Sequence, residues 1–279
     1  GDHPDKQGER LRAMLPVLRA MVQTAHEFGG RHATIGVLWD YMALPAPVEA
    51  PPGPLPTQTH GGSQRDFPRW MAHAGTHVLL VDTMPTKSRH TVSRSFSSRG
   101  WCFVEEHLAS LIKFPDILWD LGMHRTAETY AEILKQMLRR HRPPPLSPDR
   151  LALKLREGVR SGALSFSTRT EVEQAVRLYE HAFISAFTSF LEAYPGRTMI
   201  FFTQRGWGDA EAHELAESLR YIAARWPQAP KEAAPGGSGT FRATGAKEII
   251  FAVSDGNKFS KEAKATLHDA VKGSHLKVR

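Results

Sequence analysis

Two stretches decide how this chain folds: Val78-Leu-Leu-Val-Asp-Thr-Met-Pro85 and Ser97-Ser-Arg-Gly-Trp-Cys-Phe-Val-Glu-Glu-His-Leu-Ala-Ser-Leu-Ile-Lys113. The first is a continuous apolar run closed by Asp82 and Pro85, as a parallel strand covered on both faces requires. The second begins polar and passes into apolar residues at helical spacing. A strand, a loop and a helix opening mark where open α/β sheets hold their ligands. Trp101 and Glu105 are four apart, so on a helix they share one face.

The same pattern repeats outward from this centre. Leu11, Met14, Leu15, Leu18, Met21, Val22, Ala25 and Phe28 predict an amphipathic helix over residues 8–28. Pro16 inside it is expected to start the helix or kink it, and Gly29-Gly30 to stop it. Ala33-Thr-Ile-Gly-Val-Leu-Trp-Asp40 reads as the first core strand. Residues 45–62, rich in Pro and Gly, read as a loop. A short helix over 65–74 places Phe67, Trp70 and Met71 on one side. Residues 114–120 fit either a short strand or a capping turn. Tyr130, Ile133, Leu134, Met137 and Leu138 mark a further helix, which Pro143-Pro-Pro145 ends before a linker.

The best signalled helix starts at Thr170, with Glu173 completing an expected capping box. Val172, Ala175, Val176, Tyr179, Phe183, Phe187 and Phe190 keep its period. Thr198-Met-Ile-Phe-Phe-Thr203 and Glu248-Ile-Ile-Phe-Ala-Val253 read as strands, each followed by a helix. A flexible insert, 227–239, lies between these two βα pairs. Ile200-Phe201 answers Ile250-Phe251, and Glu211-Ala212 answers Glu262-Ala263. These pairs resemble leucine-rich-repeat units of the ribonuclease-inhibitor type. Two units are fewer than the three or so a solenoid needs, and further βα units of one main sheet fit equally well.

Composition narrows the class. At 279 residues and 41% hydrophobic content the chain can build a substantial core. No apolar run approaches the ~20 residues a membrane helix needs. A single cysteine, Cys102, excludes an internal disulfide framework and suits a reducing, intracellular, cytoplasmic setting. The chain opens with Gly1 rather than Met, so a targeting segment ahead of it stays open. Net charge is +7. Its one dense cluster, Arg139-Arg-His-Arg142, suits the C-terminus of a helix. Without an interleaved aromatic stripe it does not point to nucleic acid.

Trp101-Cys-Phe-Val-Glu105 after an apolar strand resembles the Trp-Cys-x-x-Glu segment of TIR domains. Arg99-Gly-Trp101-x-x-x-Glu105 is similar to the Arg-x-Trp-x-x-x-Glu segment of fungal heterokaryon-incompatibility (HET) domains. Trp39-Asp-Tyr-Met-Ala-Leu-Pro45 is similar to the Trp-x-Asp strand end early in HET domains. The resemblance covers roughly residues 33–113. The acidic-Phe-Ile-Ser strand that opens a typical TIR domain is missing. The likeness implies a mostly parallel, Rossmann/flavodoxin-like sheet of TIR type flanked by helices. It implies a nucleotide ligand, and NAD as a substrate for N-glycosidic hydrolysis, with Glu105 catalytic and no further cofactor required.

The chemistry would ask little of the protein. Cleaving the bond between ribose and a charged nicotinamide passes through an oxocarbenium-like state, which a fixed carboxylate stabilises. Nicotinamide leaves neutral, so no separate acid is needed. In this scheme Trp101 walls the pocket, Arg99 meets a pyrophosphate with its bidentate fork, and Trp39 and Asp40 face the same crevice. Each residue also has a plainer role open to it. An acid near a helix N-terminus suits the dipole; Trp101 can be a packing anchor; Arg99 can pair with Glu105 or Glu106; Asp40 can simply end a strand. Cys102 reads as a small buried hydrophobe.

No metal site is expected, because the fourteen histidines form no ligand pattern. Gly206-Trp-Gly208 lacks a third glycine, Gly236-Gly-Ser-Gly239 lacks the Gly-Lys-Ser/Thr ending of a phosphate loop, and Gly-x-Ser-x-Gly is absent. The expected organisation is α/β: a TIR/HET-like domain over 1–142, a linker and long helix over 143–196, and βα repeat-like units over 197–279 that can complete the same domain. The alternative function is a non-catalytic interaction domain or accessory subunit, with protein partners through self-association or a larger assembly.

Overall fold

The computed structural model describes residues 8–37, 67–80, 96–114, 116–138, 142–193, 199–225 and 249–279. The chain is a mixed helix-and-strand, α/β protein. Its elements in order are α1 (Glu9–Gly29), α2 (67–72), β1 (Val78–Leu80), α3 (Gly100–Ser110), β2 (Leu118–Asp120), α4 (Tyr130–Met137), α5 (Pro148–Ser161), α6 (Thr170–Ala193), β3 (Met199–Phe201), α7 (Asp209–Arg225), β4 (Ile249–Ala252), α8 (Lys261–Ala270) and β5 (Leu276–Val278).

The run at Val78 does form a parallel strand. β1 pairs with β2, Leu79 beside Trp119. Both faces of this pair are covered, and the side chains alternate between them. Leu80 and Leu118 pack with Ala109 and Cys102 of α3. Leu79 and Trp119 turn the other way, toward Met14, Val17 and Ala20 of α1 and Ile133 and Met137 of α4. The result is three layers, with α3 as the crossover between two parallel strands. Pro16 lies within α1, which runs on through it. Its cost of about 3 kcal/mol is offset by the buried Met14, Val17 and Ala20 on either side. Gly30, at φ 81°, ends the helix as expected.

A second parallel sheet has the order β3-β4-β5. Ile200, Phe202, Ile249, Phe251 and Leu276 are buried with Phe183 and Phe187 of α6, Leu215 and Leu219 of α7, and Leu267 of α8. Each such apolar side chain withdrawn from water stabilises the fold by about 1.5–3 kcal/mol. Met199, Phe201, Ile250 and Lys277 occupy the opposite face, where Phe201 is 41% exposed. Ile200 lies beside Phe251, not Ile250. The repeat pairing expected from sequence is therefore offset by one residue, which exchanges the faces.

Several expectations are corrected. Residues 33–37 form no strand: they follow the Gly30 turn in exposed or half-exposed positions, Val37 at 54%, and pair with no strand among the described residues; residues 38–40 of the expected strand lie outside these. The expected linker after Pro143 is instead buried. Its carbonyls are taken by core side chains, Tyr179 Oη donating to Leu146 O at 2.8 Å and Ser218 Oγ to Pro145 O at 2.5 Å. Ser147 then caps α5, with Pro148 at its first position. Glu173 builds no capping box with Thr170; it takes a bidentate bond from Arg156 at 3.0–3.1 Å. The loop at 45–62 and the insert at 227–239 lie outside the described residues.

Candidate functional site

α3 carries the motif, and several bonds set its position. Arg99 is its N-cap in extended conformation and bridges to Ser165. Gly100 N donates to Ser165 O at 2.8 Å, and Ser165 N to Ser98 O at 3.0 Å. Gly100 meets the ring of Phe166 so closely that a Cβ would stand 2.2 Å from it. A side chain there is excluded by contact, and α3 can seat against the 165–166 turn only because residue 100 has none.

Trp101 is committed to packing. Its indole Nε1 donates to Glu171 Oε2 at 3.0 Å, and its ring meets Phe166 edge-on at 5.8 Å. The same carboxylate oxygen accepts from Ser167 N at 3.2 Å. Trp101 therefore joins the first turn of α3 to the first turn of α6. Cys102, half-buried, packs toward β1 and β2.

Glu105 follows one turn after Trp101 and is half-buried. Glu106 and His107, next along the helix, line a cleft of about 300 Å³ with Arg142, Pro143, Pro144, Lys154, Glu211 and Glu214. His107 is 6% exposed, and its Nδ1 bonds to Phe103 O at 2.8 Å. Burial pushes its pKa down to about 4, with Lys154 adding to the fall and the Phe103 carbonyl opposing it.

At the other end of α3, Lys113 is 2% exposed and donates to His73 O at 2.7 Å and Thr76 O at 2.8 Å. Burial, and secondarily the Arg142 guanidinium, lower its pKa to about 7. Arg142 itself donates to Lys113 O and Phe114 O, and its own carbonyl accepts from Trp207 Nε1 at 2.7 Å. It is thus a buried connector rather than a surface cation at the end of α4, as the basic cluster had suggested.

Of the residues singled out in the sequence, Arg99, Trp101 and Glu105 belong to one helix, Arg99 as its N-cap, Trp101 in its first turn and Glu105 in its second. Trp39 and Asp40 lie outside the described residues. The cleft beside Glu106 draws on α3, the segment after α4, α5 and α7, which spread from Glu106 to Glu214. Sequence spacing carries no signal that joins them. Among the described residues, no three His, Cys, Asp or Glu side chains stand close enough to hold a metal ion, and no helix is long and apolar enough to cross a membrane. No family model, no curated protein and no solved structure matches the chain.

Proposed function

We propose that this chain is a TIR/HET-like α/β domain that binds a nucleotide and cleaves the N-glycosidic bond of NAD, with Glu105 as the essential carboxylate. One observation carries the reading: Glu105 is half-buried on a helix whose first turn is fixed through Trp101 to Glu171. A carboxylate on a rigid support can meet a developing positive charge without reorganising. The β1–α3–β2 crossover, covered on both faces, supports the Rossmann-like expectation for the same region. In this account Trp101 is a positioning residue and Glu105 the catalytic one.

The direct test is incubation of the purified protein with NAD while following free nicotinamide. Glu105→Gln is expected to lower release by about a hundredfold or more, the scale of losing one preorganised electrostatic group. Trp101→Phe is expected to reduce stability first. Ligand-observed NMR with ADP-ribose reads binding apart from cleavage.

A second reading is a non-catalytic interaction module. The sheet β3-β4-β5 favours it, since its strands alternate buried and outward positions as in repeat proteins that keep one sheet face open. A parent protein that neither cleaves NAD nor binds ADP-ribose would favour this module over the enzyme.

A further inference from the structure

The loop after β3 holds a buried charge that the chain itself does not answer. Arg205 is 6% exposed. Its guanidinium makes no hydrogen bond and no ion pair among the described residues. Lys113 and Arg142, buried as deeply, each donate to two carbonyls. Buried charges are ordinarily paired, and one left alone is strongly destabilising. Burial lowers the Arg205 pKa to about 10, with no carboxylate opposing the fall, so the group is charged at neutral pH. No nitrogen of Arg205 is fully enclosed; the head keeps a narrow opening to solvent.

The backbone that carries Arg205 is fixed. Gln204 N donates to Asp255 O at 2.7 Å, Arg205 N to Asn257 Oδ1 at 3.2 Å, Gly206 N to Gly256 O at 3.2 Å and Trp207 N to Asn257 Oδ1 at 3.1 Å. These bonds tie the loop after β3 to the loop after β4, at the carboxyl ends of two parallel strands, the end at which α/β sheets hold ligands. All four N–H groups are used, so the guanidinium is the donor this turn has left. Three carboxylates stand nearby in sequence, and each is engaged elsewhere. Asp255 Oδ2 accepts from Gln204 Nε2 at 3.5 Å, Asp209 Oδ1 from Ser260 N at 2.7 Å and Glu211 Oε2 from Gly208 N at 2.8 Å. A Cβ placed on Gly206 would meet nothing within 4 Å, so the space beside the turn is open.

We propose that Arg205 anchors a site for a small oxyanion, a carboxylate or phosphate group taken from solution, which the guanidinium holds through two parallel N–H bonds. The planar fork of arginine matches both groups, whereas chloride offers a single point of contact. The bound anion supplies the counter-charge that the neighbouring carboxylates withhold, so its binding stabilises the folded chain. The site lies on the second sheet and does not rest on the role of Glu105.

The test uses the whole chain, labelled with ¹⁵N-arginine, and titrates sodium phosphate and sodium acetate at an ionic strength held constant with sodium chloride. The Arg205 Nε–H resonance, identified by its loss in Arg205→Lys, is expected to shift saturably through roughly the millimolar range with at least one of the two oxyanions; chloride alone is not expected to move it. The oxyanion that acts at the lower concentration identifies the group, and the thermal midpoint is expected to rise with it. Arg205→Met keeps an apolar stem and removes the charge. It is expected to hold or raise the midpoint in chloride and to lose the rise with oxyanion. Arg205→Lys keeps the charge without the fork and is expected to need about tenfold more oxyanion for the same rise. That variant and the parent titration carry the test if Arg205→Met folds poorly. No saturable shift with either oxyanion, an equal shift with chloride, or a rise that survives in Arg205→Met would overturn the proposal.

Discussion

Trp101 Nε1 and Glu171 Oε2 lie 3.0 Å apart, a hydrogen bond across seventy positions of sequence. It fixes the helix bearing the motif to the longest helix among the described residues. A bond to an ionised partner contributes about 1.5–3 kcal/mol. Trp101→Phe and Glu171→Gln should each lower the thermal midpoint, and the double variant should lose less than the sum. Strictly additive losses in that cycle would show that the two groups do not interact.

Gly100→Ala should destabilise by about 1–3 kcal/mol, the range for overpacking a filled site, because the new methyl falls 2.2 Å from Phe166. Shrinking the ring in Gly100→Ala/Phe166→Leu should recover part of the loss. Urea midpoints of the three variants measure this, and an unchanged midpoint in Gly100→Ala would contradict the close seating of α3.

Asn257 links the loops that follow β3 and β4. Its Oδ1 accepts from Arg205 N at 3.2 Å and Trp207 N at 3.1 Å, and its Nδ2 donates to Phe202 O at 2.9 Å and Val253 O at 2.6 Å. Asn257→Ala leaves four backbone groups to find new partners, at a cost of about 2–4 kcal/mol. Amide exchange should accelerate at residues 204–207 more than in α1. Uniform acceleration through the chain would argue for a global effect instead.

Two buried bases make stability depend on pH in the same direction. His107 has its folded pKa lowered to about 4 from 6.5, and Lys113 to about 7 from 10.5. Between each pair of values the unfolded chain holds more protons, so stability rises with pH. The free-energy difference between parent and His107→Gln should grow in the parent's favour from about pH 4 to 6.5 and then level off. The difference between parent and Lys113→Met should grow from about pH 7 to 10.5. Denaturant titrations across these windows check both, and flat differences would mean the groups are not buried as described.

The strongly periodic elements were legible in the sequence. Val78–Leu80, α3, α6, β3, α7, β4 and α8 all fall where apolar spacing put them. Failures came where a local signal competes with tertiary context. Ala33–Val37 carries a strand-like composition but pairs with no strand among the described residues. Pro143-Pro-Pro145 reads as a linker because nothing local reveals that Ser218 takes the carbonyl of Pro145 and Tyr179 that of Leu146, and it masks the Ser147-Pro148 helix start. β5 has one buried residue in three, too few for a period. Trp101 and Glu105 were visible as a pair, but the partner that fixes Trp101 is seventy positions away, and the cleft of Glu106 and His107 is assembled from four separate segments.

The most direct measurement of the central claim is nicotinamide release from NAD by the parent, Glu105→Gln and Glu106→Gln, each with its thermal midpoint recorded in the same buffer. The account predicts release by the parent, a loss of about a hundredfold or more in Glu105→Gln at an unchanged midpoint, and near-parental release by Glu106→Gln. No release from the parent, or equal release from Glu105→Gln, would contradict it.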